Sequence, residues 1–258
     1  MNLNKRQKII LSSILLTIGL LSTQLVDFNL RFKFIGGLAV LSYMLSVWSL
    51  LEGLNLTKAV VLMILPTFFT IAISSFYFLL PVRWLTRLPV AFGFGLIFYL
   101  ILLAQNVFNV ASLRTIPLYR AASTASFLFT LLSAFFLFNV LYAFNLLFLW
   151  NGVGVFAVSF PLILQVLWSL NMEDRVSTAI VVQSLILSLV LGEIALSFSF
   201  WPTPNTIWPL ILSSSMYVLL GLTTSVLRGR VNRRVVWEYL GIGVAVLVIG
   251  YATTSWTG

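Results

Sequence analysis

The chain has 258 residues, of which 60% are apolar and 8% charged, with a formal charge of +9 and neither His nor Cys. A water-soluble domain of this size carries about 25% charged residues, so too few polar side chains are present to cover a soluble surface. The inventory also excludes disulfides, thiolate chemistry, His-ligated haem or metal, and any protease built on a histidine.

The first segment opens with Lys5, Arg6 and Lys8 and runs apolar from residue 9 to about 26, followed by Gln24-Leu25-Val26-Asp27. Its basic start resembles a secretory signal, but it lacks a small-x-small cleavage pattern and is long enough to cross a bilayer, so a retained first helix is expected. Further apolar runs predict helices over 34–52, 59–80, 88–106, 121–146, 151–170, 176–200, 207–227 and 235–255. The fold class expected is therefore all-α: a polytopic integral membrane helix bundle with nine transmembrane helices, eight being the alternative count. The division between the fifth and sixth helices is the weakest, because 121–170 is nearly unbroken, and a turn is expected from Asn145, Trp150, Asn151, Gly152 and Gly154.

With nine spans and the N-terminus inside, Lys5, Arg6, Lys8, Lys58, Arg114, Arg120, Arg175, Arg228, Arg230, Arg233 and Arg234 are cytoplasmic. Arg31, Lys33, Arg83 and Arg87 are then the outer cations, a positive-inside bias that leaves the C-terminus outside. Trp48, Trp84, Trp150, Trp168, Trp201, Trp208, Trp237 and Trp256 all fall near expected helix ends, where indoles favour the membrane interface. Pro66 and Pro161 fall inside spans and are expected to bend them; packing kinks are favoured over gates. Pro81, Pro89, Pro117, Pro202, Pro204 and Pro209 read as loops or helix starts. Glu52 with Glu173, and Pro81 with Pro202, repeat at a spacing of 121 positions, a faint sign of tandem halves 9–106 and 121–227 within one transmembrane domain that ends in helix 235–255.

The acids are Asp27, Glu52, Glu173, Asp174, Glu193 and Glu238, and only Glu193 lies well inside a span. An ionisable group at bilayer depth is costly and marks a site by default. A packed glutamate beside Gly192 and Ser197 is favoured, with a proton or cation site as the sharper reading and Arg83 or Arg87 as outer partners. Ser123, Ser126, Thr130 and Ser133 form a small hydroxyl stripe, read with Ser213 to Ser215 and with Gly241 and Gly243 as helix contacts. Asn139, Asn145, Gln165 and Gln183 suit cross-helix hydrogen bonds before solute binding. Arg228, Arg230, Arg233 and Arg234 hold a loop on the cytoplasmic face and are candidates for anionic lipid, with Glu238 one turn beyond Arg234 as its partner. Membrane lipids, and other membrane proteins, are the expected partners; nucleic acid, cofactor and metal are not expected.

No Gly-Lys phosphate loop or dinucleotide fingerprint occurs, and Gly93-Phe94-Gly95 and Gly152-Val153-Gly154 lack the third glycine. The intramembrane lysine that retinal would require is missing too, because Lys5, Lys8, Lys33 and Lys58 lie outside the expected spans or at their ends. A non-catalytic scaffold or embedded subunit ranks first among the functions left. A small carrier or channel using Glu193 ranks second, and a lipid-linked-sugar transferase using Asp27 last.

Overall fold

The structure is a computed structural model that describes residues 4–23, 30–80, 83–111, 118–172 and 175–254. Within them lie the helices α1 (Lys5–Ser22), α2 (Arg31–Leu50), α3 (Leu56–Leu79), α4 (Trp84–Ala111), α5 (Tyr119–Ala143), α6 (Phe148–Asn171), α7 (Thr178–Phe198), α8 (Ile207–Leu227) and α9 (Arg233–Thr253). Eight of them, α2 to α9, are long and apolar enough to cross a membrane. α1 is the exception, with 18 residues and Lys5, Arg6 and Lys8 in its first turn. The all-helical bundle expected from the sequence is thus the fold observed. The count of eight arises at α1 and not at the α5/α6 boundary.

That boundary is a tight turn with one residue responsible. Asn145 adopts a positive φ of 50° and its N–H donates to the Tyr142 carbonyl at 3.1 Å, a left-handed helix stop that asparagine tolerates. Trp150, Asn151, Gly152 and Gly154, expected in the turn, lie inside α6. Pro89 is likewise inside α4, in its second turn, because the helix starts earlier than its proline suggested.

The chain divides into two compact units, the first formed by Met1–Ser133 with Asn171–Val176 and the second by Ala134–Leu170 with Ser177–Gly258. In the first, α1 packs on α2, α2 on α3, α3 on α4 and α4 on α1, closing a ring. Its middle is aromatic: Phe69 stacks on Phe94 at 5.6 Å between centroids, and Phe94 meets Phe98 at 5.7 Å. Hydroxyl groups fasten the helices together, since lipid supplies no hydrophobic force to do so. Ser13 Oγ donates to the Gly95 carbonyl at 2.6 Å and Ser42 Oγ to the Pro66 carbonyl at 3.2 Å. Thr70 Oγ1 lies 2.9 Å from Ser42 Oγ and 2.8 Å from the same carbonyl. A Cβ on Gly95 would lie 2.5 Å from Thr17 Oγ1, so α1 and α4 approach closely there and a side chain would displace the Thr17 hydroxyl.

The second unit packs α6 against α7 at a glycine crossing. A Cβ on Gly152 would lie 3.0 Å from the Gly192 carbonyl, and one on Gly192 would lie 3.0 Å from the Gly152 carbonyl. α8 and α9 are joined by residues 228–232. The end of α8 is closed by a Schellman motif: Gly229 (φ +63°) donates to the Val226 carbonyl and Arg230 to the Ser225 carbonyl. Trp168 and Trp208, expected at the interface, lie near helix ends but are fully buried.

Candidate functional site

Three places gather polar chemistry. In the first unit, α4 carries Gln105 and Asn109 one turn apart, both fully buried. Asn109 Nδ2 donates to the Leu50 carbonyl at 3.1 Å and to the Glu52 carbonyl at 2.9 Å, which are among the carbonyls that a helix C-terminus leaves without partners. Lys58, in the first turn of α3, is enclosed, and its Nζ reaches the Gly53 and Asn109 carbonyls at 3.4 Å each. One cation therefore sits against the C-terminal ends of α2 and α4, where the helix dipoles favour positive charge. The sequence put Lys58 at a helix end, and so it is, but as an interior capping group. Ser46 and Gln105 each stand one turn before the Leu50–Asn109 contact, and the Ser46 hydroxyl and both polar atoms of the Gln105 amide are buried with no hydrogen bond among the described residues. At the other end of α4, buried Arg87 donates to the Leu80 carbonyl at 3.4 Å and lies over the Tyr77 ring at 5.0 Å.

The second place is Glu193. It is exposed, on the stripe of α7 that also exposes Val182, Leu185, Ile186 and Leu189. Gly192 beside it faces inward to Gly152, whereas Ser197, expected to help form a protein-facing polar surface, is exposed and donates to the Glu193 backbone carbonyl at 2.9 Å. Glu193 stands five residues before Phe198, the last residue of α7, about 7.5 Å along the axis. Its carboxylate makes no hydrogen bond or ion pair among the described residues.

The third is the loop that joins α8 to α9. Arg234 Nε pairs with Glu238 Oε1 at 3.1 Å, both exposed, as their spacing predicted. Asn232 Oδ1 accepts from the Val235 N–H at 2.8 Å and caps α9. Arg233 has no ion pair among the described residues and lines an open groove of about 610 Å³ with Val231, Asn232, Val236, Trp237 and Leu240. Arg228 and Arg230 share this loop but do not line the groove.

Other expected contacts divide. Of the hydroxyl stripe, Ser126, Thr130 and Ser133 are buried and Ser123 half-buried, while Thr130 and Ser133 bond backward to the Ser126 and Phe129 carbonyls within α5 itself. A Cβ on Gly243 would lie 3.1 Å from Val218, a close approach, but Gly241 faces open space and is no contact. Ser213, Ser214 and Ser215 bond backward to the carbonyls of Leu210 and Ile211, within α8 itself. Gln165 is buried with both amide atoms unbonded among the described residues, while Asn139 and Gln183 are half-buried. Pro66 is buried and Pro161 half-buried. Asp27, Glu173, Asp174, Pro81, Arg114, Pro117 and Trp256 lie outside the described residues, and with them half of the marks of the suggested tandem repeat.

Lys58, Gln105 and Asn109 were not singled out as a group. The one available signal was the run of Gln105, Asn106 and Asn109 in an otherwise apolar helix. No curated protein and no solved structure matches the chain. A family model does, over residues 34–253, from the first turn of α2 to the last residue of α9; the chain belongs to this family, described as a protein of unknown function (DUF5656).

Proposed function

We infer that this protein is a non-catalytic subunit embedded in a membrane, with the N-terminus cytoplasmic and the α7 face around Glu193 docked on a transmembrane helix of a partner. The observation that carries the reading is an exposed carboxylate on an apolar stripe. A carboxylate facing hydrocarbon costs several kcal/mol even on the lenient insertion scales, and a basic or hydrogen-bond-donating side chain from a neighbouring helix offsets that cost. Arg87, one of the outer cations considered for it, is occupied by Tyr77 and the Leu80 carbonyl.

The test is photo-crosslinking in native membranes from Leu189 and Val182, two residues of this stripe, followed by mass spectrometry. The reading expects crosslinks to one membrane protein at both positions, reduced by Glu193→Gln or Glu193→Leu. Crosslinks to lipid alone, in the parent and in both variants, overturn it.

A second reading has an observation of its own. Gln105 and Gln165 are buried amides with unbonded donors and acceptors among the described residues, the kind of group that binds a polar solute or its water. A carrier built on either one, within its own unit, requires solute or proton flux by the purified protein in vesicles, lost in Gln105→Leu if the site is in the first unit and in Gln165→Leu if it is in the second. The outward position of Glu193 favours the subunit over this carrier.

A further inference from the structure

We propose that the groove at the start of α9 binds an anionic phospholipid, with the headgroup phosphate on Arg233 and an acyl chain along Trp237 and Leu240. The inference is independent of what covers Glu193. Its lining is divided in the way an amphiphile requires. One cation and the asparagine that caps α9 stand at the loop end, and Val231, Val236, Trp237 and Leu240 form the rest.

Helical geometry makes the site continuous. Arg233, Val236, Trp237 and Leu240 follow one another at steps of three, one and three, so they share one face of α9. That face continues through Val244, Val248 and Tyr251, all exposed, which gives an acyl chain an uninterrupted apolar track. A different face, about 110° round the helix, is turned to α8: Tyr239 fills the space over Gly221, and a Cβ on Gly243 or on Gly250 would lie 3.1 Å from Val218 or 3.0 Å from Ile211. The groove is therefore not a gap awaiting α8.

The charges are sorted as well. Glu238 would repel a phosphate, but it is held by Arg234 at 3.1 Å, and the two cancel. Arg233, one turn before Trp237 on the same face, has no ion pair among the described residues and keeps its guanidinium for an anion. The Asn232 side-chain Oδ1 accepts from the Val235 N–H, leaving its Nδ2 donors without a bond among the described residues. A guanidinium beside an amide donor suits phosphate oxygens, to which arginine can present two parallel N–H groups. Trp237, 73% exposed, suits the depth between headgroup and chain. The apolar walls favour a phospholipid over free phosphate.

The experiment uses the full chain in phosphatidylcholine vesicles containing a minor fraction of brominated phosphatidylglycerol or, in parallel, brominated phosphatidylcholine. The Trp237 signal is the difference between the parent and Trp237→Phe. Preferential quenching by the phosphatidylglycerol label is expected, with the preference falling about fivefold in Arg233→Gln, the effect of one basic side chain near an anionic surface, and retained in large part in Arg233→Lys. Arg234→Gln combined with Glu238→Gln, which removes the cancelling pair together, should move it much less. Circular dichroism on each variant identifies one that has lost its helices, in which case Arg233→Lys against the Arg234→Gln, Glu238→Gln double variant carries the test. Equal quenching by the two labels, or an Arg233→Gln variant that keeps the full preference, overturns the proposal. So does displacement of the labelled lipid by inorganic phosphate, which would make this a free-phosphate site.

Discussion

α3 and α9 both meet the length and composition of a membrane span, yet 56% of the apolar window of α3 is buried within the protein and only 6% of that of α9. α3 has neighbours on two sides, α2 and α4, and carries a buried lysine at one end and a buried aromatic, Tyr77, near the other. α9 packs on α8 and turns the rest of its surface outward. The difference shows that hydropathy measures the solvent a helix can live in and says nothing of how many neighbours it has. In lipid the helices that acquire neighbours are those offering close approach or hydrogen bonds, and α3 offers Thr70 and the Pro66 carbonyl to Ser42 of α2.

The largest contrast should come from core truncation. Phe69→Ala, at a side chain with no exposure, is expected to cost about 3–5 kcal/mol of stability through the cavity it leaves, read as a shifted unfolding transition in detergent. Next comes the capping node beside the start of α3. Asn109→Leu leaves the Leu50 and Glu52 carbonyls without this donor and should cost about 2–3 kcal/mol, while Asn109→Gln, too long by one methylene, should recover little of it.

The attachment of α9 gives a smaller effect. Gly229→Ala forces a side chain into a positive φ of 63° at the Schellman stop, an expected loss of about 1 kcal/mol, visible as faster proteolysis of the loop 228–232 without a change in the first unit. Smallest of all is Val244→Ala on the outward face of α9, 57% exposed, where the expected change is under about 0.5 kcal/mol. If Val244→Ala instead destabilises the protein as Phe69→Ala does, α9 is covered by something and the comparison with α3 fails.

Much of the fold was legible because backbone groups in hydrocarbon must be satisfied within each segment, so any apolar run of adequate length becomes a helix. The expected and observed bounds agree closely for α7, α8 and α9. The cation at Lys58 was legible only as a helix end, since nothing local reveals that Asn109, 51 residues later in the chain, closes over it. The glycines were the least legible. Gly152 reads as a turn residue, and only the arrival of Gly192 makes it a crossing point.

Composition and the run lengths alone determined that this is a helical chain suited to lipid, where most of its helices begin and end, and that Arg234 would find Glu238 one turn away. These depend on solvent and on local geometry. Tertiary structure alone decided which side of each helix faces inward: Glu193 outward and Gly192 beside it inward, Trp208 buried and Trp237 exposed. In water an apolar stripe would have announced that choice, but a helix bathed in lipid is apolar on every side, so its inner face is selected by packing and hydrogen bonding with helices distant in the chain.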